Sequence, residues 1–158
     1  AKALASNTTG PDTMSEPYWN PMVPELTVRD MAQSLPFYLA AGFGVRFRRS
    51  APDFVYLEQG QVQLMLEAWH PQGWHTGELQ LPFGRGINLQ IEVGDVTALA
   101  ARLQAAGYAC FRPVQESWYA VSGHEEEGQL EGLWQDPDGY LLRFVEILGS
   151  RPRSPEAA

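Results

Sequence analysis

The chain has 158 residues, of which 44% are hydrophobic, and it carries a formal net charge of −8 and a single cysteine, Cys110. This length suffices for one domain with a proper core or for two fused half-domains. The negative charge argues against nucleic-acid binding, which needs a basic surface. No apolar run reaches the roughly 20 residues that a membrane helix needs. One cysteine fits a reducing, cytoplasmic compartment, and we expect Cys110 to be buried in a strand.

The first structural unit is predicted over residues 22–69 and opens with a strand at 23–28. Asp30 can cap a helix, because an apolar stripe at helical spacing follows it. Gly42 can supply the left-handed residue that ends this helix. The strands that follow are predicted at 44–47, 54–58 and 62–67.

A second unit, predicted over residues 87–148, repeats this plan. Asp95 stands twelve residues before Gly107, as Asp30 stands twelve residues before Gly42. Its strands are predicted at 88–93, 108–113, 130–135 and 140–146. The repeat indicates an α+β protein of two tandem βαβββ units, neither of which can bury its apolar face alone. The contact between the units is therefore a natural place for a cleft.

Three further segments complete the predicted organisation. Residues 1–21 are interpreted as a leader or an expression remnant, and residues 70–86 as a connector. Residues 149–158 are expected to be a flexible tail, because they are rich in Pro, Ser and Arg. The second unit is longer than the first, and the surplus is placed in a polar loop near residues 114–129. Insertions on a repeated scaffold often carry function.

The chain resembles the vicinal oxygen chelate superfamily, and within it most closely the bleomycin resistance proteins and their glyoxalase-related neighbours. The resemblance rests on Leu26-Thr-Val-Arg-Asp30, Phe37-Tyr38, Gly42-Phe43 and Asp136-Pro-Asp-Gly139-Tyr-Leu-Leu-Arg-Phe144. It covers residues 22–147. It implies two βαβββ modules whose curled sheets form a half-barrel cleft, and a homodimer whose modules often pair across the two chains. The scaffold hosts many functions, so it does not fix the activity.

Enzymes of this superfamily hold a divalent metal in the cleft, with His or Glu ligands from the first and last strands of each unit. The resemblance places these positions at Val23, Leu64, Asn88 and Arg143. Val and Leu cannot coordinate a metal, Asn is a poor ligand for it, and Arg brings a cation. A shift of two or three residues would bring in Glu25, Glu67 or Glu146, but no histidine. We therefore expect no metal, no cofactor and no catalytic residue.

Without a metal, the cleft becomes a groove that suits a flat or elongated molecule. Aromatic faces stack on planar rings and hold cations, and a carboxylate can pair with a cationic tail. The candidate ligand-binding residues are Phe47, Phe54, Glu67, Trp69, Trp118, Tyr119 and Glu127. The aromatic residues expected in the core are Tyr38, Phe43, Trp134 and Phe144. The histidines His70, His75 and His124 are interpreted as solvated or hydrogen-bonded.

One position departs from the antibiotic-binding relatives, which often carry a tryptophan immediately before the glycine where this chain has Glu127 and Gly128. Either Trp118 supplies that ring from the insertion, or the ligand is not bleomycin.

The sequence predicts a metal-independent binding protein that sequesters a bleomycin-type glycopeptide antibiotic, with or without its own metal, or a similar planar cationic small molecule. The expected partners are this ligand and a second copy of the chain, and neither nucleic acid nor a membrane. A metal-dependent glyoxalase-like lyase or ring-cleaving dioxygenase is the alternative function. A carrier or self-protection protein for another natural product is a third.

Overall fold

The computed structural model describes residues 18–154, so the expectations for residues 1–17 lie outside the described residues. The first module consists of β1 (Glu25–Val28), α1 (Met31–Ala40), β2 (Gly44–Ser50), β3 (Asp53–Gln59) and β4 (Val62–Ala68). The second module consists of β5 (Asn88–Glu92), α2 (Val96–Ala105), β6 (Arg112–Ala120), β7 (Glu125–Gln135) and β8 (Leu141–Pro152). Neither helix is long and apolar enough to cross a membrane.

The two modules have the same sheet topology. The first sheet has the strand order β1-β4-β3-β2 and the second sheet the order β5-β8-β7-β6. The first strand of each module pairs in parallel with the last, and the other pairs are antiparallel. The predicted α+β fold of two tandem βαβββ modules is therefore confirmed.

Both helices begin and end where the repeated residues predict. The Asp30 carboxylate accepts a hydrogen bond from a first-turn backbone N–H of α1 at 3.0 Å, and Asp95 does the same for α2 at 2.9 Å. Gly42 and Gly107 follow the helix ends with φ angles of 103° and 89°. This left-handed region favours glycine, because a Cβ is strained there.

One continuous hydrophobic core joins the modules. The rings of Phe37 and Tyr108 meet edge to face across it, with centroids 5.0 Å apart. Burying a large side chain contributes about 1.5–3 kcal/mol to folding, so these shared contacts hold the modules together. The aromatic residues predicted to be core are all buried, namely Tyr38, Phe43, Trp134 and Phe144.

The turn between β7 and β8 docks on α1 through polar groups. The Tyr38 hydroxyl donates to Asp136 at 2.7 Å, and the Ser34 hydroxyl donates to Asp138 at 3.1 Å. Arg29 Nε donates to Asp138 at 2.8 Å. Burial raises the pKa of Asp136 to about 6, although the hydrogen bonds it accepts act in the opposite direction. A buried polar network therefore adds to the apolar contact between the modules.

The predicted insertion is not a loop. Residues 114–129 continue β6 and β7 as a hairpin that turns at residues 121–124. β8 pairs along this hairpin as far as Pro152, four residues into the expected tail at 149–158. β8 pairs with the β7 arm of the hairpin, so β7 is hydrogen-bonded on both edges and the segment forms regular structure although its side chains are polar.

The strand predicted at residues 108–113 was wrong in its position. Residues 108–111 link α2 to β6, which begins only at Arg112. The prediction of a buried Cys110 was also wrong, because this residue lies in the link and is exposed.

Candidate ligand-binding site

Each sheet has one face against the helices and one face turned away from them, which we call the open face. In the first sheet, Val55, Leu57 and Leu66 lie in the shared core against the helices. Side chains alternate between faces along a strand and share a face with their cross-strand partners. The open face of the first sheet therefore carries Glu25, Thr27, Phe47, Arg49, Phe54, Tyr56, Met65 and Glu67.

Four aromatic residues form a cluster on this open face. Phe47 stacks on Phe54 with ring centroids 5.7 Å apart and on Tyr56 with centroids 5.3 Å apart. Trp19 meets Tyr56 edge-on at 5.0 Å. We call Trp19, Phe47, Phe54 and Tyr56 the aromatic platform. Phe54 and Tyr56 are buried, whereas half of the Trp19 surface is exposed, so the platform has an accessible edge.

Two arginines already lie over the platform. The Arg49 Cζ is 4.2 Å from the ring centroid of Phe54, and the Arg46 Cζ is 4.5 Å from that of Trp19. Both distances are within the range of cation–π attraction. Arg46 is also fixed by an ion pair with Glu58. The platform is thus a surface that accepts cations.

Residues of the predicted leader hold one end of the platform. Gln63 Nε2 donates to the Tyr18 carbonyl at 2.6 Å, and Asn20 N donates to Gln63 Oε1 at 2.8 Å. The Tyr56 hydroxyl also donates to Gln63 Oε1. A buried amide needs such partners, and these contacts position Trp19 over the sheet. The leader interpretation did not foresee this packing role.

Two carboxylates lie beside the platform, and we call Glu25 and Glu67 the acid pair. Burial raises the pKa of Glu25, and the charge of Glu67 and a hydrogen bond with it raise this pKa further. Glu67 is the cross-strand partner of Phe54, so the acid pair adjoins the platform. His70 Nε2 lies 3.4 Å from Glu67 Oε1, at ion-pair distance.

Trp69 borders the same open face and is 54% exposed. It stacks on His75 with ring centroids 6.1 Å apart. His75 Nε2 in turn lies 3.5 Å from the Thr27 hydroxyl on β1. The first sheet thus brings together four of the residues predicted to bind ligand, Phe47, Phe54, Glu67 and Trp69.

The other three predicted residues, Trp118, Tyr119 and Glu127, lie on the second sheet, but they do not share one face of it. Tyr119 and Glu127 are cross-strand partners on its open face. Trp118 lies on the opposite face, where a Cβ added to Gly128 would come within 2.5 Å of its ring. The Arg151 Cζ lies 3.7 Å from the centroid of the Trp118 ring. Trp118 therefore packs the hairpin and does not supply a ring to the open face.

The open face of the second sheet contains a buried carboxylate, Glu131. Burial alone would raise the pKa of Glu131, but hydrogen bonds from Tyr119, Gln129 and Ser117 together with the charge of Arg143 lower it. Gln129 Nε2 donates at 2.7 Å, and Arg143 Nη1 lies 3.7 Å away. This network is therefore a polar counterpart to the aromatic platform of the first sheet.

The strand register corrects one position that the resemblance implied for a metal ligand. Glu25 pairs with Met65, as Gln90 pairs with Arg143. Met65 rather than Leu64 is therefore the equivalent of Arg143, and Leu64 is buried in the core. Alignment on the turn glycines failed because the two turns before β4 and β8 differ in length.

The donor set at these positions does not fit a divalent metal. Val23, Met65, Asn88 and Arg143 offer neither a carboxylate nor an imidazole. Glu146, one of the shifted candidates, accepts a hydrogen bond from the Val96 backbone N–H at the start of α2. Within residues 18–154, no three His, Cys, Asp or Glu side chains are grouped so that they could hold a metal ion.

A groove of about 610 Å³ lies on the helix side of the second sheet. Its lining includes Tyr108, Val114 and Trp134, together with the exposed Cys110. None of the seven residues predicted to bind ligand lines it. The link from α2 to β6 is longer than the link from α1 to β2, which leaves this gap between helix and edge strand.

The sequence-based prediction missed Trp19, Glu25, Arg49 and Tyr56, which lie next to the predicted residues on the open face of the first sheet. Tyr56 follows Phe54 at the period of two that a strand requires, so it shares the face. Glu25 joins Glu67 only through the parallel pairing of β1 with β4, which no local pattern reveals. Arg49 and Trp19 needed the three-dimensional arrangement.

Residues 21–144 match the model of a protein family described as the Glyoxalase/Bleomycin resistance protein/Dioxygenase superfamily. None of the curated proteins matches the sequence. Among solved structures, hypothetical protein SA1046 from S. aureus has a TM-score of 0.62 and 20% identity, over 82% of this chain and 95% of that one. TioX from Micromonospora sp. ML1 has a TM-score of 0.61 and 21% identity, over 80% and 98% of the two chains.

A bleomycin-binding protein complexed with bleomycin has a TM-score of 0.53 and 24% identity, over 81% of this chain and 98% of that one. At these identities, the likeness to solved structures shows the fold alone. The family match spans both modules. The chain therefore belongs to the Glyoxalase/Bleomycin resistance protein/Dioxygenase superfamily.

Proposed function

We propose that the protein binds and sequesters a bleomycin-type glycopeptide antibiotic, or a similar planar cationic small molecule, without a resident metal. The single observation that carries the proposal is the aromatic platform with the acid pair directly beside it. Flat rings of a ligand stack on the exposed edge of the platform, and its cationic group pairs with the carboxylates. Resistance by sequestration then needs affinity and abundance, and no chemical step.

The magnitudes of these interactions bound the affinity of the proposed site. Each aromatic pair contributes about 0.5–1.5 kcal/mol beyond the burial of its area. A hydrogen bond to a charged group contributes about 1.5–3 kcal/mol. Two stacked rings and two such bonds contribute about 4–9 kcal/mol before the cost of association, to which the burial of the ligand's apolar area is added, against the roughly 8 kcal/mol of micromolar binding. The net charge of −8 also attracts a cationic ligand over longer distances.

The comparisons support the choice of ligand to test. A structure of the same fold is a bleomycin-binding protein complexed with bleomycin, at 24% identity. This identity is too low to transfer a ligand by itself, so the proposal depends on the side chains of this chain. Those side chains are Phe47, Phe54, Tyr56, Glu25 and Glu67.

The proposal includes a homodimer in which a second copy completes the groove. The partner would present the open face of its second sheet, which carries Tyr119, Glu127 and the Glu131–Arg143 pair. An aromatic residue with carboxylates on that face suits the same planar cation. Trp118 has no part in this groove, because it lies on the helix side of its sheet. It therefore does not supply the ring that the antibiotic-binding relatives carry before the glycine, which counts against bleomycin itself and in favour of another planar cation; the titration below distinguishes the two.

Calorimetric titration with metal-free and with copper-loaded bleomycin tests the proposed function. We expect binding to the wild-type protein, and about tenfold weaker binding to Phe47→Leu, which removes the ring at the centre of the platform. Phe111→Leu is the matched control, because Phe111 is exposed and lies in the link that precedes β6, not in a strand of the first sheet. The absence of any heat or fluorescence change at high micromolar bleomycin would rule out this compound as the ligand.

A second candidate function is a metal-dependent lyase or dioxygenase with shifted ligands. The side chains nearest to such a ligand set are His70 and Glu67, 3.4 Å apart, with Glu25 interacting with Glu67, although as placed the three are not grouped to hold a metal ion. Elemental analysis of the protein purified without chelators distinguishes the two functions. One equivalent of Ni, Zn, Fe or Mn per chain favours the enzyme, and a substoichiometric content favours the binding protein.

A further inference from the structure

Arg49 occupies the part of the platform that adjoins the acid pair. Its Cζ lies 4.2 Å from the ring centroid of Phe54 and 5.8 Å from that of Phe47. Arg49, Phe54 and Glu67 are successive cross-strand partners, so they form one row across β2, β3 and β4 on the open face. Within residues 18–154, the Arg49 guanidinium is held by the rings and forms no ion pair.

The neighbouring residue Arg48 shows how differently an arginine can be placed on the same strand. Its guanidinium forms two hydrogen bonds with Asp53, at 3.0 and 2.9 Å. Its cross-strand partner is the core residue Val55, so it lies on the other face of the sheet. Arg48 is therefore a surface ion pair, whereas Arg49 is a flat cation on an aromatic surface.

We propose that this row is a subsite for a flat organic cation, a guanidinium or an amidinium attached to a planar ring, and that Arg49 occupies it when no ligand is bound. This proposal deepens the proposed function and rests on the same open face binding a small molecule. A planar, delocalised cation stacks on Phe54 as the Arg49 guanidinium does. It also presents two parallel N–H groups, which match a carboxylate in a bidentate pair.

Arg49 then acts as an internal competitor. An incoming cation displaces its guanidinium from Phe54, so the net affinity is the difference between two similar interactions. Removing the guanidinium while keeping an aliphatic stem should therefore strengthen the binding of a flat cation. The same substitution should not strengthen the binding of a neutral molecule of equal shape.

Proton binding to the acid pair also affects the binding of a cation at this subsite. The charged groups that face Glu25 are Glu67 on β4, Arg49 on β2 and His70 beyond β4. Burial and the charge of Glu67 raise the pKa of Glu25, whereas the charges of Arg49 and His70 lower it. Proton binding to Glu25 therefore competes with cation binding, so the binding of a cation becomes tighter as the pH rises.

NMR titration of the full chain with benzamidine, and with its neutral analogue benzamide, tests the subsite. Relative to the wild-type protein, we expect benzamidine to bind about tenfold more tightly to Arg49→Met and unchanged to Arg48→Met. Adding Glu67→Gln to Arg49→Met should weaken this binding about tenfold and reduce its increase with rising pH, because Glu67 is one of the causes that raise the pKa of Glu25. Benzamide should not bind to any variant.

Three results would overturn the subsite: equal benzamidine affinities for Arg49→Met and Arg48→Met, benzamide binding as tightly as benzamidine, or no benzamidine binding to Arg49→Met. Thermal unfolding of each variant confirms that it is folded before titration. Bleomycin titrated against the same variants separates the two proposals. Bleomycin binding that is equal for all of them, together with equal benzamidine affinities, overturns the subsite and leaves the proposed function intact. The expected benzamidine pattern without bleomycin binding leaves the subsite intact and excludes that antibiotic.

Discussion

Asp136 is 4% exposed, and its carboxylate is surrounded by donors from both modules. It accepts hydrogen bonds from the Tyr38 hydroxyl at 2.7 Å and from the backbone N–H groups of Asp138 and Tyr140 at 2.9 Å each. The Asp-Pro-Asp-Gly string predicted only a tight turn. Its two carboxylates in fact face α1, so a turn motif also links the modules.

The protonation of Asp136 should make stability depend on pH. Burial, the largest cause, raises its pKa from 3.8 to about 6. Because the folded value lies above the unfolded one, the proton stabilises the folded state, fully so below about pH 4. This stabilisation, on the order of 2–3 kcal/mol, is lost as the pH rises through about 6.

Urea unfolding of the wild-type protein and Asp136→Asn at about pH 4 and pH 7 measures this effect. Asn keeps an acceptor for the backbone N–H groups but cannot titrate. The difference in unfolding free energy between the two proteins should change by about 2 kcal/mol between these pH values, in favour of the wild type at low pH. A difference that does not vary with pH would contradict the assignment of the proton to Asp136.

Single residues of the site could be predicted from the sequence only where their chemistry was conspicuous. The sequence offers Trp69 as a large aromatic residue next to the connector, and Phe47 and Phe54 as aromatic residues at positions that the resemblance assigns to the groove. The sequence offers Glu25 only as a shifted metal ligand, because its relation to Glu67 depends on a pairing of strands that are distant in the chain. The position of Arg49 on the rings required the structure.

At the level of elements, turn glycines allow a clean comparison. Gly139 and Gly107 have φ angles of 100° and 89°, so alanine is strained at both. A Cβ at Gly107 would meet nothing within 4 Å, whereas one at Gly139 would lie 2.7 Å from the Pro82 Cα. Backbone at that distance cannot move aside without shifting the connector against the turn.

We therefore expect Gly107→Ala to lower the free energy of unfolding by about 1 kcal/mol. Gly139→Ala should lower it by about 2 kcal/mol more, because the added methyl also clashes with the connector. Chemical denaturation of both variants provides the values. Equal losses for the two would show that the connector does not pack closely on this turn.

The order and type of the elements followed from the repeated pattern, whereas the second module's hairpin did not. Residues 114–129 are rich in Gln, Glu and Ser, which obscures the strand signal, and their extended structure depends on pairing with β8. The same lack of tertiary information placed Cys110 in a strand. Turn lengths cannot be read from glycine positions, so the alignment of the two modules paired Arg143 with Leu64 and not with Met65, the next residue.

Across the whole molecule, the two copies of one module have diverged in their open faces. The first carries the aromatic platform and the acid pair, and the second carries Glu131, Arg143 and their hydrogen-bond partners. The core residues of both modules remain apolar and continuous. Duplication thus preserved the packing while the exposed faces acquired different chemistry.

The proposed groove requires a second copy of the chain, which sedimentation velocity can detect. We expect a particle of about twice the monomer mass of 17.6 kDa at micromolar concentration. Bleomycin should shift any remaining monomer toward the dimer, since a ligand held between two chains stabilises their association. A particle that stays at 17.6 kDa at high micromolar concentration, with and without ligand, would contradict the shared groove.

The most direct test of the central claim is a crystal structure of the protein crystallised with metal-free bleomycin, together with that of a second crystal soaked in Ni, Zn, Fe or Mn. We predict planar rings of the antibiotic against the platform at Phe47 and a cationic group within hydrogen-bonding distance of Glu25 or Glu67. A divalent ion chelated by three or more side chains of the open faces, with the platform empty, would contradict it.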